Sequence, residues 1–236
     1  MIRYGDLIPE LELAEIWRVE TGGKEPRHVV RELVESLIPE ARSLVQPAAV
    51  VEFFPVVDVL HHRVTLAGGR SLKGKDVAQI LGPAQEVALG IATIGSALET
   101  RAAELFAADE PARGYMLDVL GSAAVSNLVQ QVCGRLAAAA KERGLPIGFP
   151  ISPGDPGWPL AEQRTLFELV SAASIGVELT DSCLMVPQKS ISFAVAIGGD
   201  IALAGQGSQC DICSLRETCR YRQAAAAALT GHQSEL

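Results

Sequence analysis

A double apolar row from Pro111 to Arg143 constrains this chain more than any other feature. Met116, Leu120, Ala124, Leu128, Val132, Leu136 and Ala140 recur every four residues, with Leu117, Val125, Val129 and Cys133 in a row beside them. Side chains four apart share a helix face, so the segment reads as one long helix buried along much of its length. Such a helix needs a broad apolar partner. The small residues Gly121, Ser122, Ala123 and Ala124 would let another backbone or a ligand come close to it.

The rest of the chain supplies that partner. Pro26 to Leu44 carries Val30, Leu33, Val34, Leu37, Ile38, Ala41 and Leu44 at helical spacing. Ala48 to Val59 and His62 to Leu66 are rich in β-branched residues and predict two strands, paired as a hairpin. Asp76 to Leu81 predicts a short helix stopped by Gly82-Pro83, and Val87 to Ile94 a buried strand. Ser96, three residues before Glu99, is placed to cap a helix from Ala97 to Ala108. A helix from Leu160 to Ala172 follows, then strands at Val177 to Thr180, Ser190 to Ile197 and Asp200 to Ala204. Strands come in clusters without regular alternation with helices. The expected fold class is therefore α+β, a mixed or antiparallel twisted sheet with flanking helices and one long central helix. The expected organisation is an N-terminal helical segment over 1–45, a main domain over 46–205 and a separate tail over 206–236.

With 48% apolar residues, the 236-residue chain can bury a real core. Its formal charge of −8 argues against nucleic acid, whose phosphates call for clustered Lys and Arg. No uninterrupted apolar run reaches membrane-spanning length, and Met1 to Glu20 lacks the unbroken apolar stretch of a leader, so a cytoplasmic protein is expected.

Pro150, Pro153, Gly154, Pro156, Gly157 and Pro159 fall within ten positions. Prolines lock φ and glycines open conformations closed to other residues, so this loop is stiff, and stiffness lowers the entropy lost on binding a ligand. The stretch that follows contains Thr165, Leu166, Phe167, Glu168 and Leu169, then Ile175, Gly176, Leu179, Thr180, Asp181, Ser182, Met185, Pro187, Ser190 and Ser192. In that order these residues resemble the activation domain of cobalamin-dependent methionine synthase, which has a Pro-Gly loop, a helix, and then Ile-Gly-x-x-Leu-Thr-Glu-Ser-x-x-Met-x-Pro-x-x-Ser-Val-Ser. Val87 to Gly95 and Asp118 to Val125 resemble the first half of free-standing members, so the resemblance covers most of residues 46–205.

The resemblance implies a domain that binds S-adenosylmethionine and presents its methyl group to a cobalamin in the inert Co(II) state. The cobalamin is carried by a corrinoid-binding protein, and a redox partner supplies one electron. Ser152, Pro153, Gly154, Asp155, Trp158, Asp181, Ser182 and Ser126 are the ligand-site positions so implied. Gly154 would admit close backbone approach, Trp158 would stack on a ring or pack in its own domain, and Asp181 and Ser182 would contact ligand or form a turn.

The chain departs from the family at three places. Pro150 stands where the family has an arginine able to grip a carboxylate, Asp155 where it has tyrosine, and Ser126 where relatives carry an acid. A charge-assisted hydrogen bond contributes about 1.5–3 kcal/mol, so its loss weakens binding by roughly ten- to a hundredfold. Arg164 or Arg143 would have to replace it, or S-adenosylmethionine is not bound.

Cys210, Cys213 and Cys219 form C-x2-C-x5-C in a polar turn, flanked by Arg216, Arg220 and Arg222. That spacing suits an iron–sulfur cluster or zinc, with Cys183 or His232 as fourth ligand. A corrinoid role favours iron–sulfur, because Co(II) needs one electron and zinc carries none. Cys133, on the apolar stripe, reads as a buried thiol. His61 and His62 open a strand and point to opposite faces, so they read as exposed residues and not as a metal pair. Glu99, Arg101 and Glu104 read as a solvated helix face.

Two function classes follow. One is an accessory protein of corrinoid methyl transfer, without the modules of a complete methionine synthase. The other is a non-enzymatic binding module with a degenerate S-adenosylmethionine site and a structural zinc.

Overall fold

The computed structural model describes residues 1–11, 13, 16–17, 26–201 and 217. Its centre is an antiparallel sheet of β1 (Ile2–Tyr4), β2 (Ala48–Leu60), β3 (Arg63–Leu66), β4 (Ser71–Lys73), β5 (Glu86–Thr93) and β8 (Ser190–Ile197). The strand order is β4-β3-β2-β5-β8, with β1 added to β2, and every pairing is antiparallel. A register shift between Val56 and Asp58 marks an irregularity in β2, the kind of feature that bends a strand. A short ribbon of β6 (Glu178–Leu179) and β7 (Met185–Val186) stands apart from this sheet.

Helices cover both faces. On one side lie α1 (His28–Leu44), α3 (Ala97–Ala107) and α4 (Pro111–Glu142). At 32 residues α4 is about 48 Å long. Its stripe of Leu117, Leu120, Ala124, Leu128, Val132 and Leu136 packs with Ala49, Val51, Ala88, Ala92, Phe193 and Val195 of the sheet. Each large apolar side chain buried there contributes roughly 1.5–3 kcal/mol. On the other side α2 (Lys75–Leu81), α5 (Gln163–Leu169) and the Pro-Gly loop pack with Val50, Val87, Leu89, Ile91, Ala194 and Ala196.

The pleat explains why β5 reads as one continuous apolar run, because both of its faces are buried. After Glu86 at its start, the α4 side of β5 carries only Ala88, Gly90 and Ala92. There the ring of Phe193, the register partner of Gly90, occupies the space: a Cβ on Gly90 would lie 2.2 Å from its Cζ.

The expected helices and strands up to Arg143 are present within about two residues of their predicted ends. Three local expectations need correction. Ser96 does not cap α3, because its backbone is already helical (φ −94°, ψ −14°) and no longer aims the hydroxyl at the first turn. His61 and His62 form the turn between β2 and β3 instead of opening a strand. The helix expected from Leu160 to Ala172 is a 3-10 turn (Leu160–Glu162), the two-turn α5 and a second 3-10 turn (Ala172–Ile175). Asp200 and Ile201 belong to no strand, and the remainder of that expected strand lies outside the described residues.

Candidate functional site

The pleat of β8 sets the site. Alternation puts Ser190 and Ser192 on the same face as Ala194 and Ala196, toward the Pro-Gly loop and away from α4. The chain leading into the loop runs beside β8: Ile147 bridges Ile197, and Ile151 bridges Ala194 through two backbone bonds of 3.0 and 2.8 Å. Bridging ends just before Ser192. From there the loop bends away and leaves a cavity of about 590 Å3.

The loop closes on itself. Gly154 N–H donates to the Trp158 carbonyl (2.9 Å), Asp155 N–H to that of Ser152 (3.0 Å), and Trp158 N–H to that of Asp155 (3.0 Å). An Asp155 carboxylate oxygen accepts the Ser152 N–H at 2.6 Å. Gly154 and Gly157 have φ of +102° and +76°, open only to glycine at low cost. At Gly157 a Cβ would also meet Asp76 Cγ at 2.2 Å, whereas at Gly154 only Leu160 Cδ1 lies within 4 Å, at 3.5 Å. Backbone conformation is therefore what calls for glycine at 154.

Loop residues Ser152 and Pro153 form one wall of the cavity and Leu160 and Gln163 a second. Cys183, Leu184 and Met185 form the third, and Gln188 and Ser190–Ser192 the floor. Gln163 is 3% exposed, and its Oε1 accepts the Ser192 hydroxyl at 2.8 Å. The Ser190 hydroxyl donates to the Pro187 carbonyl (2.7 Å) and lies 2.9 Å from Thr93 Oγ1. A turn from Thr180 to Leu184 carries Cys183 at φ +63°, tied by Cys183 N–H to Thr180 O (2.9 Å) and Leu184 N–H to Thr180 Oγ1 (3.0 Å). The turn after β7 is anchored from across the sheet. Lys189 N–H donates to Glu99 (3.1 Å), and its ammonium bonds Asp118 (2.8 Å) and Ser122 (2.9 Å) on α4.

Of the residues singled out from the sequence, Ser152, Pro153 and Cys183 line the cavity. Gly154 and Asp155 shape the loop beside it. Asp181 and Ser182 are exposed turn residues, and Ser182 Oγ is 3.0 Å from Thr180 Oγ1. Two of the implied ligand positions lie away from this lining. Trp158 is 2% exposed and packs in the core beside α2, so its ring offers no stacking face to a ligand. Ser126, on α4, is not among the lining residues.

The two arginines considered as replacements are also engaged. Arg143 pairs with Glu86 (2.5 Å), which faces Ile197, about 17 Å along β8 from Ser192. Arg164 is near the cavity but donates to the Asp181 carbonyl. None of the eleven lining residues is charged.

Glu99 was missed as a structural contact. Its position on a helix face gave no sign that the β7–β8 turn would fold over it. Gln163 was missed because one amide on a short helix has no sequence signature. Cys133 is partly buried, and burial pushes its thiol up to about 11.

Cys210, Cys213, Cys219 and His232 lie outside the described residues. Among the described residues no group of three or more His, Cys, Asp or Glu side chains could hold a metal, and no helix is long and apolar enough to cross a membrane.

The chain matches no sequence family and no curated relative. It does match the crystal structure of the MetH reactivation domain bound to AdoHcy, with a TM-score of 0.62 at 17% identity, over 80% of this chain and 70% of that one. The antiparallel sheet and its flanking helices, the long α4 among them, thus take the fold of the MetH reactivation domain.

Proposed function

We propose that this protein is an accessory factor of corrinoid-dependent methyl transfer that binds an S-adenosyl ligand between the Pro-Gly loop and β8. The observation that carries the reading is the 590 Å3 cavity, in a fold shared with a domain solved with AdoHcy. Its size is that of small-molecule sites, and its lining mixes Pro, Leu, Met and Ile with a few hydroxyl and amide groups. Ser152, Gln163, Ser190 and Ser192 are the polar groups that would hold the ligand, and the stiff loop would limit the entropy lost.

The finer parts of the reading rest on the sequence. A corrinoid-binding protein would be the partner, docking where the ligand's methyl group emerges. Cys210, Cys213 and Cys219 would hold an iron–sulfur cluster, which supplies one-electron chemistry when bound. Cys183, in the cavity wall, is the described thiol from which a link to that tail would start. A second reading is favoured by the uncharged lining and by Pro150 and Asp155 at the family's Arg and Tyr positions. On it, the protein is a non-enzymatic module with a degenerate site and a structural zinc.

Two measurements separate these readings. Titrating the full chain with S-adenosylhomocysteine should give saturable heat with micromolar affinity; no binding at millimolar ligand sinks the first reading. Anaerobic purification with iron, sulfide and zinc analysis should give a brown protein that bleaches with dithionite. A colourless protein with stoichiometric zinc sinks the electron-transfer part.

A further inference from the structure

Gln163 stands out among the cavity's polar groups. It is 3% exposed, it lines the cavity, and its one hydrogen bond uses Oε1, which accepts from Ser192. Its amide nitrogen therefore keeps two N–H donors without a protein partner, and Oε1 keeps a second lone pair. Among the described residues Nε2 is not one of the buried side-chain atoms that lack a partner, so these donors reach the cavity, where water or a ligand can take them up. A donor beside an acceptor at amide spacing matches the edge of adenine, which offers a ring-nitrogen acceptor beside an exocyclic amine.

The charges around the cavity point elsewhere. The Lys189 ammonium is held by Asp118 and Ser122 on α4. The Arg164 guanidinium bonds the Asp181 carbonyl, and the Asp155 carboxylate accepts the Ser152 N–H. Among the described residues, nothing in the lining can grip a carboxylate by an ion pair.

We infer that Gln163 is the specificity-determining residue of this cavity, reading the base of a nucleoside through its free amide edge. The uncharged lining makes the site take neutral nucleoside thioethers at least as well as S-adenosyl amino acids. This inference rests on the reading of the cavity as an adenosyl site. The amino-acid end of an S-adenosyl ligand gains no ion pair here and stays in water.

The test is calorimetric titration of the full chain with 5′-methylthioadenosine and S-adenosylhomocysteine, on the native protein and on Gln163→Met. The expected result is a Kd for 5′-methylthioadenosine equal to or below that for S-adenosylhomocysteine. Gln163→Met should weaken both by about tenfold. If S-adenosylhomocysteine binds the native protein more than tenfold tighter, the amino-acid end is gripped; the neutral-site inference falls while the adenosyl reading stands. Unchanged affinity in Gln163→Met overturns the role of Gln163. If neither ligand binds the native protein, the adenosyl reading itself fails and takes this inference with it. The native comparison needs no variant, so it decides the neutral-site claim even if Gln163→Met does not fold.

Discussion

The two faces of β8 were built for different ends. Toward α4 the strand presents Phe193, Val195 and Ile197, which join the same apolar cluster as the long helix. Toward the loop it presents Ser190, Ser192, Ala194 and Ala196, small or hydroxylated residues. Bulk on the first face completes a core. The short side chains on the second leave room for the Pro-Gly loop to run alongside and then diverge, and the diverging end is the cavity. One strand thus fills the α4 core with Phe193, Val195 and Ile197, and on its other face turns from the core residues Ala194 and Ala196 to the cavity residues Ser190 and Ser192. The loop face adds to its own apolar cluster a local rigidity, from hydrogen bonds within the loop and two positive-φ glycines.

That comparison can be broken by separating stability from binding. The largest effect is expected for Phe193→Ala, which removes a fully buried ring from above Gly90. It should cost about 3–5 kcal/mol in urea unfolding. Affinity for S-adenosylhomocysteine in the folded fraction should stay within about twofold, a factor worth roughly 0.4 kcal/mol. A loss of affinity as large as the loss of stability would mean that the two faces do not act independently.

Asp155→Ala should instead lower stability and affinity together. It removes the 2.6 Å bond that closes the loop onto the Ser152 N–H, a charge-assisted contact contributing about 1.5–3 kcal/mol. Because Ser152 lines the cavity, binding should weaken as well. Full ligand affinity in Asp155→Ala would show that the loop's closure is irrelevant to the site.

The smallest effect sharpens the description of the α4 face. The Cys133 thiol is pushed by burial from its ordinary 9.0 up to about 11. The unfolded chain then loses this proton near pH 9 while the folded chain holds it until about pH 11. Stability contributed by the neutral thiol is complete below pH 9 and falls as pH rises toward 11. Tyr4, also raised by burial from its ordinary 10.0, steepens the fall above that pH. Cys133→Ala should therefore flatten the urea midpoint between pH 9 and 10, measured against the native slope. An unchanged slope would show that the thiol reaches water.

Much of the fold was legible because it follows from periodicity. The i+4 rows of α4, the amphipathic α1 and the continuous apolar run of β5 predict their own burial. The loop was legible as a rigid element because Pro and Gly act through their own backbones. Segments lacking such a local signal were read less well. The helix expected after the loop breaks into 3-10 turns around α5, where packing on the sheet decides the backbone. Trp158 could be placed on a loop from sequence, yet whether its ring faced a ligand or the core depended on α2 lying beneath it.

By itself, the sequence determined the long helix, the buried strands, the stiff loop and the resemblance to a corrinoid-linked domain, since each is written in neighbouring residues or fixed spacings. Only the tertiary structure decided that Gln163 and Ser192, 29 positions apart, share one hydrogen bond in a cavity wall. It also decided that Glu99 and Asp118 hold Lys189 away from that cavity. Such contacts depend on which elements the sheet brings face to face. No local pattern records that, because a side chain's partner across the core leaves no trace in its own neighbours.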